Sequence, residues 1–521
     1  MIKNFASLCA VGFGTMLTGV NCAAQEKPNV VIILADDMGY GDVSCNNPMA
    51  RTRTPNIDNL GLNGITFKDA HSGGAVSIPS RYGILTGRYF FRAPEQKSYW
   101  GYLSPYIENG RETIGSLMQK AGYTTACIGK WHLGLNWRYL DSSGQMTLDK
   151  EKPGYTNTDF SSAVSGGPNS LGFNYSFILP ASLDMPPYVF VKNNRVVDNE
   201  IILVANKYPK KLDNTVYFWD RKHTSENDIY WDHGVWWRNG EMSKSFEVEQ
   251  CLDVIVDEGV NFIRNQVKND PQNPFMLYLA LTGPHTPWVP SDNYKGTSDM
   301  GTYGDFISQV DGVVKHITET LKSIGAYENT LLIFASDNGA PWTENDIQCY
   351  AHQSNWGRRG QKGDIWDGGH HIPLFVTWPA KIKKPSSYQY TVSLIDIFST
   401  LSEMTGVKLK QNSAEDSFSF YDVIRGDNKH PSRENIIYIS SANKLAILKD
   451  GWKYINCLGS GGFTDPSNVR TVKGGPEGQL YNLAIDPLES NNLYLRERLK
   501  ADQLSGLLEE EVENGFSRKV K

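Results

Sequence analysis

Residues 29–35, Asn-Val-Val-Ile-Ile-Leu-Ala, are apolar at almost every position and end in Asp36-Asp37. A run without polar alternation suits a strand covered on both faces, as in a parallel sheet. The design recurs at 331–335, Leu-Leu-Ile-Phe-Ala, which ends in Ser336-Asp337-Asn338-Gly339. Between the two runs, helix-like stretches at 113–121, 247–267 and 303–324 alternate with short strand-like runs at 124–128 and 275–280. This alternation predicts an α/β fold whose large domain has a mostly parallel central sheet flanked by helices. Ligands of such sheets gather beyond the carboxyl ends of the strands. From about residue 435 the texture changes to short strands at 436–439, 444–448 and 453–455, with an Asp450-Gly451 turn and a final amphipathic stretch at 499–512. These predict a smaller C-terminal domain with an antiparallel sheet and a helix. The expected organisation is 1–24 as a leader, 25–434 as the large domain and 435–521 as the C-terminal subdomain.

The leader reads as a signal peptide: Lys3, then an apolar and small-residue run, then Cys22-Ala23-Ala24 before Gln25. It predicts an exported, periplasmic protein. A lipid anchor at Cys22 is the rival reading, but Asn21 stands where a lipobox needs a small residue. No later apolar run reaches the ~20 residues of a membrane span. Five cysteines follow the leader, Cys45, Cys127, Cys251, Cys349 and Cys457, without metal-type spacing, so mostly buried thiols and at most two disulfides are expected. The 521 residues carry a net charge of −6 with no long basic run, which gives no ground for nucleic-acid binding. Any anion must be held by a local cluster of cations. Residues 140–245 are irregular and rich in aromatics, including Trp219, Trp231, Trp236 and Trp237, as loops that cap a site often are.

If the two apolar strands lie parallel in one sheet, Asp36, Asp37, Asp337 and Asn338 converge. They offer hard oxygen ligands suited to calcium or magnesium rather than zinc. Either pair alone is equally well read as strand capping and turn chemistry; their recurrence at equivalent strand ends favours metal. Three further segments combine glycine or proline with cations: Gly129-Lys130-Trp131-His132, Pro284-His285-Thr286-Pro287 and Arg359-Gly360-Gln361-Lys362-Gly363. Each cation alone reads as solvated or structural. Together with a divalent ion they suit a tetrahedral anionic ester, the cations neutralising charge and a histidine protonating the leaving oxygen.

Ser77-Ile78-Pro79-Ser80-Arg81, followed by Leu85-Thr86-Gly87, resembles the first signature of the type I sulfatases of the alkaline phosphatase superfamily. Residues 122–132, Gly-Tyr-Thr-Thr-Ala-Cys-Ile-Gly-Lys-Trp-His, resemble the second, and the likeness continues to Gly478-Gln479-Leu480-Tyr481-Asn482-Leu483. The resemblance implies that Ser77 is oxidised to formylglycine (3-oxoalanine), whose hydrate attacks sulfur and then eliminates sulfate at carbon. It implies one Ca2+ held by Asp36, Asp37, Asp337, Asn338 and the group at Ser77. It gives Arg81 the aldehyde hydrate to hold, Lys130 and Lys362 the sulfate oxygens, His132 deprotonation of the hydrate and His285 protonation of the leaving group. Serine rather than cysteine implies an anaerobic, radical sulfatase-maturating enzyme as partner. Relatives commonly carry arginine where this chain has His371, which is expected to serve structure. Asp364 also replaces a small hydroxyl residue beside Lys362.

Residues 182–188, Ser-Leu-Asp-Met-Pro-Pro-Tyr, resemble the segment that lines the sugar pocket in galactose-acting relatives. Candidate substrate contacts are therefore Ser182, Asp184, His223, Trp356, Arg358 and His370, with Trp236, Trp237, His352 and Arg359 behind them. A loop aspartate and buried aromatics are the plainer reading. The expected activity is exo-acting hydrolysis of a 4-O- or 6-O-sulfate on galactose or N-acetylgalactosamine of host mucin or glycosaminoglycan. The alternatives are a phosphatase or phosphodiesterase of the superfamily, which would want histidines beside Asp36 and Asp337, and a non-catalytic sulfated-glycan receptor.

Overall fold

A computed structural model describes residues 27–95, 100–152, 154–208 and 238–518. The predicted leader, Trp219, His223, Trp231, Trp236 and Trp237 lie outside the described residues. The main sheet is built from β1 (Asn29–Ala35), β2 (Ile65–Phe67), β3 (Thr124–Lys130), β4 (Tyr175–Leu179), β5 (Val191–Lys192), β6 (Arg195–Val196), β7 (Phe275–Ala280), β8 (Thr330–Ser336), β9 (Leu374–Thr377) and β10 (Ser386–Tyr388). Its spatial order is β10-β2-β9-β8-β1-β7-β3-β4-β5-β6. The five central strands, β8-β1-β7-β3-β4, are mutually parallel. The sheet turns antiparallel at β9 on one side and at β5 on the other.

The apolar run of β1 divides by parity between two cores. Val30, Ile32 and Leu34 join one cluster, while Val31, Ile33 and Ala35 join the other. Successive side chains of a strand point to opposite faces, so a strand buried on both faces cannot alternate apolar with polar. Helices α1 (Ser77–Thr86), α2 (Cys251–Asn269) and α3 (Gly301–Ser323) belong to these layers. α2 buries Leu252, Ile255, Val256, Gly259, Val260 and Ile263, the i, i+3, i+4 stripe of an amphipathic helix.

Register places the site. Ala35 pairs with Ser336, Leu34 with Ala280, and Ala280 with Gly129. The residues that follow each pair therefore leave the sheet at one edge, which collects Asp36, Asp337, Lys130 and the loop leading to His285.

The C-terminal sheet, β11 (Asn435–Ile439), β12 (Leu445–Lys449), β13 (Trp452–Ile455) and β14 (Gln479–Asn482), is antiparallel throughout. Ile437, Ile447 and Leu480 on one face pack with Ala501, Leu504 and Leu508 of α4 (Arg498–Glu513). Ile436, Tyr438, Ala446 and Ile455 on the other face pack with Ile365 and Trp366, close in sequence to Lys362. All five cysteines are free thiols, three buried and two exposed. No helix among the described residues is long and apolar enough to cross a membrane.

Candidate active site

Ser77 is the first residue of α1, and its side chain meets the two strand-end acids. Its hydroxyl donates to Asp36 Oδ1 at 3.2 Å and Asp337 Oδ2 at 2.7 Å. The open amide groups of a helix N-terminus favour negative charge there. Backbone crowding fixes how the chain reaches this point. A Cβ on Gly74 would stand 2.5 Å from Cβ of Pro79, so only glycine lets the 73–76 turn fold over the start of the helix.

Three cations converge on the strand-end acids Asp36, Asp37 and Asp337. Arg81, one turn along α1, donates to Asp36 Oδ1 at 3.2 Å and Asp337 Oδ2 at 2.8 Å. Lys130 Nζ lies 2.8 and 2.7 Å from the two oxygens of Asp36 and 3.1 Å from Ser77 Oγ. Lys362 Nζ donates to Asp37 Oδ2 at 2.6 Å. Asp36, Arg81, Lys130 and Asp337 are fully buried, so these pairs are screened little by water. Burial alone would raise the Asp36 carboxyl; Lys130, His285 and Arg81 hold it below its ordinary value. Burial lowers the Lys130 ammonium, assisted by Arg81 and Lys362 and opposed by Asp36. Lys362 moves the other way: Asp37 and Asp36 outweigh burial and raise it.

The two histidines differ. His132 sits at φ 57°, directly after Gly129-Lys130-Trp131, and its Nδ1 is buried without a hydrogen-bond partner among the described residues. Burial, then Lys130 and Arg81, push its pKa well down, so the ring is neutral. His285 lies 2.6 Å from the carbonyl of Thr286 through Nδ1 and 3.5 Å from Asp37 Oδ2 through Nε2. Nδ1–H therefore donates to the carbonyl, and Nε2 faces the acid cluster.

The donor set fits a hard cation. Asp36, Asp37 and Asp337 supply carboxylate oxygens, and Asn338 Oδ1 is buried without a partner among the described residues while its Nδ2 donates to Asp37 Oδ1 at 2.7 Å. An orphaned amide oxygen beside three carboxylates is an arrangement a Ca2+ or Mg2+ ion completes.

Of the sugar candidates, Ser182 and Asp184 reach the site. Ser182 Oγ lies 3.2 Å from Lys130 Nζ and 3.3 Å from His285 Nδ1; Asp184 Oδ1 lies 3.8 Å from that same nitrogen. Burial would raise Asp184, but Arg238, His285 and Lys362 lower it to about 2. Arg238, which bonds Asp184 Oδ2 and stands over Trp100 at 5.8 Å, was missed in the sequence. A lone arginine in an irregular stretch carries no signal there.

The other candidates lie elsewhere. Trp356 is half-buried, with its Cβ against Gly41. Arg358 stands 3.7 Å from Asp367, and Arg359 stacks on Trp366 at 3.6 Å. His352 bonds Asp42 at 2.9 Å and steadies the loop after β1. His370 is a correction to the expected substrate contact: it is fully buried, 3.0 Å from His71 and 3.2 Å from Lys453, with its ring stacked on Tyr438. It has no edge to present to a sugar. His371 is buried beside it; burial and Arg358 lower its pKa to about 4. Asp364 accepts from the backbone N–H groups of Phe463 and Thr464, which ties the Lys362 loop to the C-terminal domain.

Known proteins carry the same architecture. The sulfatase family model matches residues 28–407. The chain belongs to the sulfatase family. This sulfatase is 33% identical to the N-acetylgalactosamine-6-O-sulfatase of Bacteroides thetaiotaomicron, with 98% of this chain and 99% of that protein covered. It is 27% identical to the mouse N-acetylgalactosamine-6-sulfatase over 74% of this chain and 64% of that one. Among solved structures, it superposes with a TM-score of 0.79 and 31% identity on a B. thetaiotaomicron protein from work on the metabolism of multiple glycosaminoglycans, covering 94% of this chain and 100% of that one. The sulfatase is thus a sulfuric ester hydrolase, of a family that generally uses formylglycine and a divalent metal.

Proposed function

We propose that the protein is an exo-acting carbohydrate sulfatase that removes the 6-O-sulfate of a terminal N-acetylgalactosamine or galactose, with formylglycine derived from Ser77 and one Ca2+. The observation that carries this reading is the near full-length similarity to a bacterial N-acetylgalactosamine-6-O-sulfatase, 33% identical over 98% of this chain. The geometry supports it: Ser77 Oγ, Lys130 Nζ and Ser182 Oγ are linked by contacts of 3.1 and 3.2 Å, so an ester at Ser77 has a sugar-facing hydroxyl beside it. Ser77 is only 4% exposed, which suits the end of a chain rather than its middle.

Asp36, Asp37, Asp337 and Asn338 would hold the cation, which supplies positive charge beside the sulfate. The formylglycine supplies a hydrated carbonyl as nucleophile and a way to release sulfate at carbon. Arg81 holds the group at position 77, as it already holds the two acids that bond Ser77. Lys130 and Lys362 offset the charge of the sulfate oxygens, a role that gains strength with burial. His132, neutral and with Nδ1 unpartnered, accepts a proton. His285 donates one from Nε2, which lies 3.5 Å from Asp37 Oδ2, to the leaving sugar oxygen. Asp184 accepts from sugar hydroxyls, its charge secured by Arg238. Residues 1–24 support export, and serine at position 77 supports conversion by a radical maturase.

Matured protein assayed on N-acetylgalactosamine 6-sulfate, its 4-sulfate, galactose 6-sulfate and N-acetylglucosamine 6-sulfate should release sulfate fastest from a galacto-configured 6-sulfate. Preference for the 4-sulfate or for glucosamine overturns the substrate reading. Ser77→Ala should abolish release, and an unchanged rate would sink the nucleophile assignment.

A further inference from the structure

Behind the turn that leads to Ser77 lies a second polar cluster, which sulfate hydrolysis does not use. His71, from the short strand before that turn, pairs backbone to backbone with His371, and the rings meet edge to face with centroids 4.9 Å apart. His71 Nε2 lies 2.9 Å from Asp69 Oδ1, and His371 Nδ1 lies 3.9 Å from the same oxygen. One ligand atom from each of the three residues falls within 4.8 Å of the others. Tetrahedral zinc with bonds of about 2.0–2.2 Å spaces its ligands about 3.3 Å apart, inside that range.

Two observations distinguish the cluster from an ordinary buried network. Both ring nitrogens of His371 are fully buried and, among the described residues, have no partner within hydrogen-bond distance, Asp367 Oδ2 standing 3.7 Å and Asp69 Oδ1 3.9 Å from Nδ1, a costly condition for an imidazole. The neighbouring cations also sit on other acids. Lys453 Nζ meets Asp367 at 3.0 Å and Glu489 at 2.9 Å, and Arg358 stands 3.7 Å from Asp367, so these cations are matched away from Asp69. Asp69 meets the His71 and His371 rings and the hydroxyl of Thr391, its side chain being 32% exposed. Position 371 thus holds a ring whose pKa burial and Arg358 lower to about 4, 3.9 Å from a carboxylate that His71 and Thr391 already bond.

We propose that Asp69, His71 and His371 form a second, structural metal site selective for zinc-class transition ions, with the fourth position open to water on the exposed side of Asp69. Two imidazoles and one carboxylate suit such ions better than calcium. A supporting shell is present: with Nε2 of His71 on the metal, its Nδ1–H donates to Nδ1 of His370 at 3.0 Å, and Nε2–H of His370 donates to the carbonyl of Ile365 at 3.2 Å. Lys453 keeps Asp367 and Glu489 as acceptors. The ion would clamp the strand before Ser77 to the segment that follows Lys362.

The test is metal content of the full-length protein, dialysed against ZnCl2 in excess CaCl2 so that calcium occupies the acid cluster at Ser77. One zinc per chain is expected for the wild type and for Ser77→Ala, and none for His371→Arg, whose guanidinium replaces the ion's charge. Co2+ loaded in place of zinc should give the visible absorption of a four-coordinate site. Wild-type protein without zinc overturns the proposal whatever the variants do. Full zinc retention in a folded His371→Arg or Asp69→Asn variant overturns it equally.

Discussion

At the scale of single residues, the site is a balance of buried charges, and Asp184 shows how one partner sets it. Burial opposes its ionisation, and Arg238, ahead of His285 and Lys362, brings it down to about 2. A carboxyl depressed in the folded state stabilises the fold above its unfolded value, here 3.8, and loses that contribution as pH falls towards 2. Arg238→Met removes the first of the three cations. The variant should be less stable than the wild type by roughly 1.5–3 kcal/mol at neutral pH, and the gap should close as pH falls from about 4 towards 2. Urea unfolding across that range measures it; a gap independent of pH would show that Arg238 acts through packing alone. The acid limb of kcat/KM should move to higher pH in the same variant, because the sugar contact proposed for Asp184 requires it ionised.

At the scale of elements, what was legible was whatever period and strand ends encode. The apolar runs that close on Asp36-Asp37 and Asp337-Asn338 are neighbours in the sheet, and each acid emerges one residue beyond a register pair. The helix-like stretch at 303–324 is the helix Gly301–Ser323, and 499–512 is Arg498–Glu513. The antiparallel edge was not legible, because β9, Leu-Phe-Val-Thr, is apolar at three of its four positions and apolarity carries no direction. Nor was the cluster around His370: a histidine bonded to another histidine 299 residues away leaves no local pattern. The same holds for Arg433 just before β11. It is fully buried and meets Asp396 at 3.1 Å and the Tyr89 hydroxyl at 2.9 Å, joining the C-terminal sheet to the residues after α1. Arg433→Met leaves the Asp396 carboxylate buried with its main counter-charge gone. It should cost about 3–5 kcal/mol, read as a lower midpoint in chemical denaturation; a change below about 1 kcal/mol would show that the pair is solvated in solution.

At the scale of the whole molecule, the C-terminal domain packs against the loop that carries Lys362 and, through the carbonyl of Ile439, accepts from Ala75 at 2.8 Å. Gly363 donates to the carbonyl of Ala75 at 2.8 Å, two residues before Ser77, and Ser441 donates to the carbonyl of Gly363 at 2.9 Å. Gly462 completes the contact: a Cβ there would lie 2.2 Å from the carbonyl oxygen of Gly363, and two backbone groups, not a flexible side chain, would have to part. Next to it, Phe463 and Thr464 donate to Asp364, at 2.7 and 3.0 Å. Lys362 is therefore positioned from both sides, by Asp37 in the large domain and by this hairpin in the small one. Gly462→Ala should separate them and shift Lys362 Nζ from the sulfate it is proposed to hold. Displacement of about 1 Å at a positioned group costs on the order of 10²-fold in rate. The expected result is a large fall in kcat/KM for the sulfated sugar, with the protein still folded and Ser77 still converted. A folded Gly462→Ala variant with wild-type kcat/KM would show that the small domain supports the large one without setting its chemistry.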